Sequence, residues 1–242
     1  MEQPYLTIVI PAYNEDKNLE CAVSLIKQKI KPLLSSYEIL IVDDGSSDNT
    51  GMIADKLSSG DKEIRVIHHH KNLGPGSGLF TGINNAYGEF IIFIPADIAI
   101  DLDQFNKYLE ASKEADIVVG LRNDRKDYSI FRKINSVIYI WMIKLLFNMR
   151  QRQFNYVHLY RKSIFDRIKI ESKSVFITAE ILIKARDLGY RLTEVEINYV
   201  PRKFGEGSCS KPIVIYNTFK DMIVFWFQWI FRKSIAPQKM EV

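Results

Sequence analysis

The sequence has few of the features that mark exported or membrane-embedded proteins. Its two cysteines, Cys21 and Cys209, lie far apart and outside any paired motif, which excludes a disulfide framework or a zinc cluster. We therefore predict reduced thiols in a cytoplasmic protein. The stretch from Met1 to Tyr5 lacks the basic and then apolar character of a signal sequence, so export is not expected. No uncharged apolar run reaches the ~20 residues that a membrane-spanning helix needs.

The composition excludes a disordered chain. Of the 242 residues, 47% are hydrophobic and 26% are charged, which is enough apolar material for a full core. This length favours one α/β domain with appendages over two separate domains.

Charge is distributed unevenly along the chain. Residues 1–121 carry 10 Lys and Arg against 18 Asp and Glu, a balance of −8, whereas residues 122–242 carry 23 against 11, a balance of +12. An acidic first half suits a ligand that arrives with a cation. A basic second half suits an anionic partner, such as a phosphate group, a lipid surface or a nucleic acid.

The apolar run from Phe90 to Ile94 has the pattern of a strand buried on both faces of a parallel sheet. Pro95 cannot donate to a strand ladder, so the predicted strand ends there and Asp97 follows it. Ligands of open α/β sheets bind just outside such carboxyl ends. Asp97 is therefore a candidate ligand for a metal or a metal-bound phosphate, and capping of the next helix is the alternative.

Strand and helix patterns alternate through the first half of the chain. The predicted strands are 6–10, 37–42, 64–67 and 90–94, and the predicted helices are 17–30, 50–57 and 78–86. This alternation predicts an α/β fold with a doubly wound, mostly parallel sheet and helices on both faces. Right-handed crossovers bring the carboxyl ends of the strands to one edge. We expect the acidic residues that follow them to converge there: Glu15, Asp43, Asp44 and Asp97.

Several short motifs occur in a recognisable order. They are VIPAYNE at 9–15, IVDDGSSD at 41–48, NLG at 72–74 and PAD at 95–97, followed by VGLR at 119–122, RKINS at 132–136, Glu180, and PRKFGEGS at 201–208. This order resembles glycosyltransferase family 2, whose members are inverting, use nucleotide-sugar donors and have the GT-A fold. It is similar in particular to the dolichol-phosphate mannosyltransferase-like branch, which transfers a sugar to a polyprenyl phosphate. The resemblance covers roughly residues 6–210.

The resemblance implies a nucleotide-sugar site that binds a UDP- or GDP-linked donor with Mg²⁺ or Mn²⁺. Its expected residues are Pro11, Ala12, Tyr13, Glu15, Asp43, Asp44, Asn72, Gly74, Ala96 and Asp97. In the family, the position of Asp97 contacts both the metal and the diphosphate and is catalytic. A metal site at His68, His69 and His70 is not favoured, because three consecutive strand residues cannot face one ion.

The chain departs from the pattern of the branch in two motifs. Its members usually carry Asp-x-Asp-x-Gln where this chain has Pro95, Asp97 and Ala99. Because magnesium keeps much of its shell as water and phosphate, one carboxylate can suffice, and we expect a weaker metal dependence. The second departure is Gln153, where related sequences tend to carry aspartate.

The resemblance assigns the acceptor phosphate to Arg122, Arg132 and Arg202, the first two also being counted as catalytic. Guanidinium groups bind phosphate through two parallel hydrogen bonds and keep their charge. Further candidates of lower rank are Arg125, Arg152 and Lys203.

Glu180 opens an apolar helix at the position where family 2 enzymes place a general base. A phosphate acceptor is already ionised near neutral pH and needs no strong base, whereas a hydroxyl acceptor does. The sequence thus favours a polyprenyl phosphate as acceptor. It leaves open a sugar hydroxyl, with Glu180 as base, and a non-catalytic protein that binds nucleotide sugars.

Two stretches predict contact with a membrane surface. Residues 137–147 are apolar nearly all round but too short to span a bilayer. Residues 213–231 place their polar residues on one helical face and are otherwise rich in aromatics, with Arg232 and Lys233 following. We expect peripheral association with the cytoplasmic face of a membrane. The alternative is that this helix packs on the core or on a second subunit.

These expectations define a domain organisation. Residues 1–211 form the GT-A domain, with a nucleotide-sugar half at about 1–121 and an acceptor half at about 122–211. An amphipathic helix follows at 212–233, and 234–242 form a tail. Nucleic acid is not expected as a partner, because the acidic residues at the strand ends oppose it.

Overall fold

One mixed sheet organises the residues that this computed structural model describes, which are 3–34, 36–124, 129–201 and 211–235. The strands are β1 (Leu6–Ala12), β2 (Tyr37–Asp43), β3 (Ile64–His68), β4 (Phe90–Phe93), β5 (Ile117–Arg122), β6 (His158–Arg161) and β7 (Leu192–Ile197). The helices are α1 (Leu19–Ile30), α2 (Thr50–Gly60), α3 (Pro75–Asn85), α4 (Asn106–Ser112), α5 (Ile130–Phe147), α6 (Ile177–Asp187) and α7 (Pro212–Ile235).

The sheet has the strand order β3-β2-β1-β4-β6-β5-β7. β1 pairs in parallel with β2 and β4, β2 with β3, and β5 with β7, while β6 runs antiparallel between β4 and β5. The predicted mostly parallel α/β sheet is therefore confirmed. The sequence patterns did not predict the antiparallel β6, which joins the two parallel halves.

Alternating side chains of the central strands supply a core on each face. Ile8 and Ile10 of β1 pack with α1, α2 and α4 on one face, and Val9 packs with α3, α5, α6 and α7 on the other. Fully burying one such aliphatic side chain stabilises a fold by roughly 1.5–3 kcal/mol. Helices therefore cover both faces of the sheet, as predicted.

Helix α3 begins at Pro75, three residues before the predicted start at Gly78. Proline suits the first turn of a helix because its missing N–H would have no intrahelical partner there. Gly74 precedes it with a φ of +97°, a conformation that favours glycine and that separates the helix from the loop before it.

The topology brings six strand ends to one edge of the sheet. The parallel strands β1, β2, β3, β4, β5 and β7 all end there, and β6 begins there. We call this the carboxyl edge. It carries the loops that follow Ala12, Asp43, Phe93 and Arg122, so residues distant in sequence lie along the same edge.

Helices α5 and α7 contact each other and keep broad apolar surfaces in solvent. On α5, Tyr139, Ile143 and Phe147 are buried. The exposed apolar side chains of the two helices are Ile130, Phe131, Ile134, Val137, Ile138, Trp141, Leu145, Ile213, Tyr216, Ile223, Val224, Phe227, Ile230 and Phe231. None of the helices within the described ranges is long and apolar enough to cross a membrane.

Candidate functional site

Asp44 anchors the glycine-rich loop at the carboxyl edge. Its buried carboxylate accepts the N–H of Leu73 and that of Gly74, each at 3.0 Å, and the hydroxyl of Ser77 at 3.2 Å. The loop 72–77, which contains the predicted residues Asn72 and Gly74, is therefore held from below by one carboxylate. We call it the donor loop.

Asp43 lies beside Asp44 and has its own partners. It accepts the Ser46 N–H at 3.0 Å and contacts Nδ1 of His68 at 2.9 Å. Burial alone would raise the pKa of this carboxyl, but the hydrogen bonds from Ser46 and His68 outweigh burial and lower the pKa. The hydrogen bond to Asp43 raises the pKa of His68 against an opposing effect of burial, and Asp55, 3.0 Å from Nε2, raises it further.

His69 also supports Asp44. Its Nδ1 lies 2.7 Å from Asp44 Oδ1, and its Nε2 lies 2.8 Å from the hydroxyl of Thr81 on α3. His68 and His69 thus support Asp43 and Asp44 separately, and they do not face one ion. Sequence reasoning missed this role, although the alternation of strand residues offered a signal for it.

Gly45 lets the donor loop approach the end of β2. Its φ is +69°, and a Cβ placed there would lie 2.4 Å from the carbonyl carbon of Lys71 and 2.7 Å from the nitrogen of Asn72. Any larger residue would combine backbone strain with a backbone clash. The motif residue Gly45 is therefore required for the packing of the two loops.

The loop after β1 is tied to the loop after β2. Asn14, with a φ of +56°, donates its N–H to Ser46 Oγ and accepts the Ser47 N–H at 2.9 Å. Tyr13 is exposed at this edge. Glu15 donates its N–H to the Thr50 hydroxyl and accepts from the Asn18 side chain at 2.6 Å.

Pro11 and Ala12 form the end of β1 under this loop. Ala12 is buried, and a Cβ at Gly78 of α3 would lie 2.9 Å from Pro11 Cβ. The close approach of α3 to Pro11 brings the donor loop next to the end of β1.

Asp97 lies half-buried in the turn that follows β4, next to the buried Ala96. The following residue, Ile98, has a φ of +40°, which β-branched residues rarely adopt, and its N–H donates to the Pro95 carbonyl at 2.9 Å. Strain of this kind persists where the surrounding structure fixes the backbone. The turn therefore holds the Asp97 backbone in one conformation.

The side chains around Asp97 are a sparse set of metal ligands. The part of the chain that the structure describes contains no group of three or more His, Cys, Asp or Glu side chains that could hold a metal. Pro95 and Ala99 contribute no side-chain oxygen. One carboxylate fits an ion such as Mg²⁺ that takes its other ligands from water and substrate phosphate.

Arg122, the last residue of β5, is buried at the same edge. Its guanidinium stacks on the ring of Tyr199 at 3.3 Å. Gln153 brackets the Arg122 backbone, accepting its N–H at 3.2 Å and donating to its carbonyl at 2.8 Å. Because an ionised aspartate cannot donate, an aspartate at position 153 could not make this pair of bonds.

A pocket of about 290 Å³ opens beside Arg122, lined by Leu121, Arg122, Asn123, Arg152, Gln153 and Glu196. Arg152 is fixed in it by Glu194 at 3.0 Å and by Glu196 at 2.9 Å. The pocket is therefore polar, with two guanidinium groups in its wall.

The other predicted arginines fall in different places. Arg132 is half-buried in the first turn of α5 and donates its N–H to the Ser129 hydroxyl, which caps that helix. Arg202, Arg125 and Lys203 lie outside the described residues.

Glu180 is fully buried in the first turn of α6. Its two carboxylate oxygens accept the N–H of Glu171 at 2.9 Å and that of Ser172 at 2.8 Å, and Lys184 lies 2.6 Å away. These contacts account for the conformation of the loop before α6. The general-base role of Glu180 stays a prediction.

The glycosyl transferase family 2 model matches residues 7–169 of the chain. Curated relatives from Yersinia pestis and Yersinia pseudotuberculosis, each named undecaprenyl-phosphate 4-deoxy-4-formamido-L-arabinose transferase, are 31% identical over 222 residues. These 222 residues are 90% of this chain, and the chain spans 66% of the length of those relatives.

Solved structures of similar fold include two that contain nucleotides. Glucosyl-3-phosphoglycerate synthase from Mycobacterium tuberculosis, in complex with Mn²⁺, UDP and phosphoglyceric acid, has a TM-score of 0.69 at 14% identity, covering 92% of this chain and 78% of that chain. A mannosyltransferase from Pyrobaculum calidifontis, in complex with GDP-Man and Mn²⁺, has a TM-score of 0.64 at 16% identity, covering 93% and 65%. The predicted GT-A fold is confirmed.

Proposed function

The chain belongs to glycosyl transferase family 2, and we propose that it transfers a sugar from a nucleotide-sugar donor to a polyprenyl phosphate with inversion. One observation carries the proposal: a carboxylate-rich loop cluster and a buried arginine lie on the same edge of one sheet. The curated relatives, whose name specifies undecaprenyl phosphate, support this choice of acceptor.

The donor is bound between the loops after β1, β2 and β4. Tyr13 offers an exposed aromatic face to the base, and Glu15 and Asp43 accept hydrogen bonds from base or ribose. The diphosphate lies near Asp97 and the donor loop. Bound Mg²⁺ or Mn²⁺, held by Asp97, would offset the charge of the diphosphate.

The acceptor phosphate is bound by Arg122, Arg132 and Arg202. Its oxygen attacks the anomeric carbon from the face opposite the diphosphate. The new carbon–oxygen bond forms as the bond to the nucleoside diphosphate breaks, and the nucleoside diphosphate leaves with the electron pair. Attack from the opposite face inverts the anomeric configuration.

The burial of Glu180 favours this acceptor over a sugar hydroxyl. A hydroxyl must lose its proton to a base within hydrogen-bonding reach, but both Glu180 oxygens are bonded to backbone amides. A phosphate oxygen is ionised near neutral pH and needs no such base.

The apolar surfaces of α5 and α7 are proposed to rest on the membrane that contains the lipid acceptor. Trp141 of α5 is 61% exposed and Phe231 of α7 is 64% exposed, and large exposed apolar patches on a protein mark interaction sites. Aromatic side chains prefer the interface between lipid and water. Association with the cytoplasmic face would place the lipid phosphate beside the basic half of the chain.

The proposal is tested by incubating the protein with labelled UDP- and GDP-sugars, Mn²⁺ and undecaprenyl phosphate in detergent. We expect label from one donor to enter the organic phase in an acid-labile product. Undecaprenol, the same lipid without phosphate, is the matched control and should remain unlabelled. Labelling of undecaprenol at an equal rate, or of neither lipid with any donor, would overturn the proposal.

A further inference from the structure

Residues 171–174 form a short loop before α6 in which four consecutive backbone N–H groups are bonded to carboxylates from two helices. Glu180 of α6 accepts from Glu171 and Ser172. Asp221 of α7 accepts from Lys173 at 3.3 Å and from Ser174 at 3.1 Å. We call this loop the strap.

The strap packs directly against the donor loop. A Cβ placed on Gly76 would lie 2.4 Å from the carbonyl oxygen of Lys173 and 3.0 Å from that of Ser174. Gly76 is buried between Gly74 and Ser77, the residues that Asp44 holds from below. The donor loop is therefore hydrogen-bonded to Asp44 and also packs against the strap.

We propose that Asp221 and Glu180 are positioning residues that hold the strap against the donor loop and so set the affinity for the nucleotide. This inference rests on the proposed function, since it assumes that the donor loop binds a nucleoside diphosphate. It gives the buried Glu180 a role other than proton transfer. It also links the donor loop to α7, the helix whose outer face is apolar.

The two carboxylates respond differently to amide substitution. Both strap bonds to Asp221 reach a single oxygen, Oδ2, so Asp221→Asn can retain them through its carbonyl oxygen. Glu180 uses both oxygens, so Glu180→Gln would present an NH₂ group to one strap N–H and lose that bond. If these residues hold the strap, Asp221→Asn should keep the affinity for the nucleotide, whereas Glu180→Gln should weaken it.

The test is a titration with UDP and with GDP in the presence of Mn²⁺ and without any acceptor. We expect Asp221→Ala and Glu180→Gln each to raise the Kd of the more tightly bound nucleotide. The rise should be roughly tenfold, which is a typical size for coupling between two linked sites. Asp221→Asn should bind like the wild type. The control is Lys220→Ala, which alters the exposed neighbour of Asp221 on α7. If Kd is unchanged in Asp221→Ala and Glu180→Gln, the inference is overturned.

A second measurement separates this inference from the proposed function. Hydrogen exchange of the donor loop should become faster in Asp221→Ala, while the strands of the sheet keep their protection. If the wild-type protein binds neither nucleotide, the proposed function is wrong. The hydrogen-exchange data would still test whether Asp221 holds the strap against the donor loop. Unchanged exchange in the donor loop of Asp221→Ala would overturn the proposed role of the strap. Slower turnover in Glu180→Gln with an unchanged nucleotide Kd would instead identify Glu180 as a base.

Discussion

The half of the chain predicted to bind the donor (residues 1–121) and the half predicted to bind the acceptor (residues 122–211) present different surfaces. In the donor half, Asp43 and Asp44 are buried; each is supported by a histidine, Asp43 by one backbone N–H and Asp44 by two. In the acceptor half, Arg122 stacks on Tyr199, and the neighbouring helices expose broad apolar surfaces. The donor half thus fixes its buried carboxylates by hydrogen bonds, whereas the acceptor half, together with α7, exposes a broad apolar surface.

This difference extends to the two histidines with shifted pKa values. In the donor half, the hydrogen bond to Asp43 raises the pKa of His68. In the acceptor half, complete burial lowers the pKa of His158 to about 4, although its ring is bonded to Phe154 and Gly120. A polar network favours the charged form of one, and an apolar core favours the neutral form of the other.

The largest expected effect belongs to the donor half. Asp97→Asn keeps the shape of the side chain but removes the charge proposed to hold the ion, so turnover should fall by roughly 10²–10⁴. The measurement is label transfer at saturating lipid, with the melting temperature as a check that the fold survives. Turnover equal to that of the wild type would show that Asp97 holds no essential ion.

The next effect belongs to the acceptor half. Arg132→Ala should lower kcat/KM for the lipid phosphate by roughly 10², because a bidentate guanidinium contributes two charge-assisted bonds. Nucleotide Kd should stay unchanged. The matched control is Lys133→Ala, which removes an exposed cation one residue away. Equal losses of kcat/KM in the two variants would show that overall positive charge accounts for the effect, and not a specific contact of Arg132.

His158 and His68 should affect the pH dependence of stability in opposite directions. Well above pH 6.5 His158 is neutral in both states, but as pH falls through 6.5 towards 4 the unfolded chain takes up a proton that the folded chain does not. Its contribution to the free energy of unfolding should therefore fall by roughly 2 kcal/mol between pH 7 and 5. The contribution of His68 to the free energy of unfolding changes with pH in the opposite direction. It is present below the usual pKa of histidine and is lost as pH rises through the raised pKa of His68.

Urea unfolding at pH 7, 6 and 5 measures the contribution of His158. The control is His158→Gln, whose amide can donate to Phe154 and accept from Gly120 without titrating. The wild type should lose more stability than the variant as pH falls. Parallel curves for the two proteins would contradict the account of His158.

The smallest expected effect on folding comes from the exposed surface. Trp141→Ser with Leu145→Ser should change the free energy of unfolding by no more than about 0.5 kcal/mol. The same pair should abolish cosedimentation with anionic vesicles. Met52→Ser, at an exposed apolar residue of α2 in the donor half, is the control and should leave vesicle binding intact. If the double variant still binds vesicles, this surface is not the membrane contact.

Much of the fold could be predicted because local pattern and topology agree. The apolar runs at 6–10, 37–42 and 90–94 are buried strands in the structure, and their ends meet at the carboxyl edge. The location of Glu15, Asp43, Asp44 and Asp97 along one edge of the sheet followed from the rule that parallel strands end on one side.

The contacts that build the site depend on loops and could not be predicted locally. The pairing of His69 with Asp44 depends on the register of β2 against β3 and on the position of α3. The strap at 171–174 is far in sequence from both Gly76 and Asp221. The sequence identifies Gln153 as a departure from the branch pattern, but its bonds to Arg122 depend on the position of the loop before β6.

Thermal shift tests most directly whether the acidic carboxyl edge is a metal-assisted nucleotide site that does not need the acceptor arginines. UDP and GDP are each added at millimolar concentration, with and without Mn²⁺, to the wild type, Asp97→Asn and Arg132→Ala. We predict that one nucleotide raises the melting temperature of the wild type and of Arg132→Ala, more so with Mn²⁺, and that Asp97→Asn loses the gain from the ion. No shift of the wild type with either nucleotide, or an equal Mn²⁺ gain in Asp97→Asn, would contradict the claim.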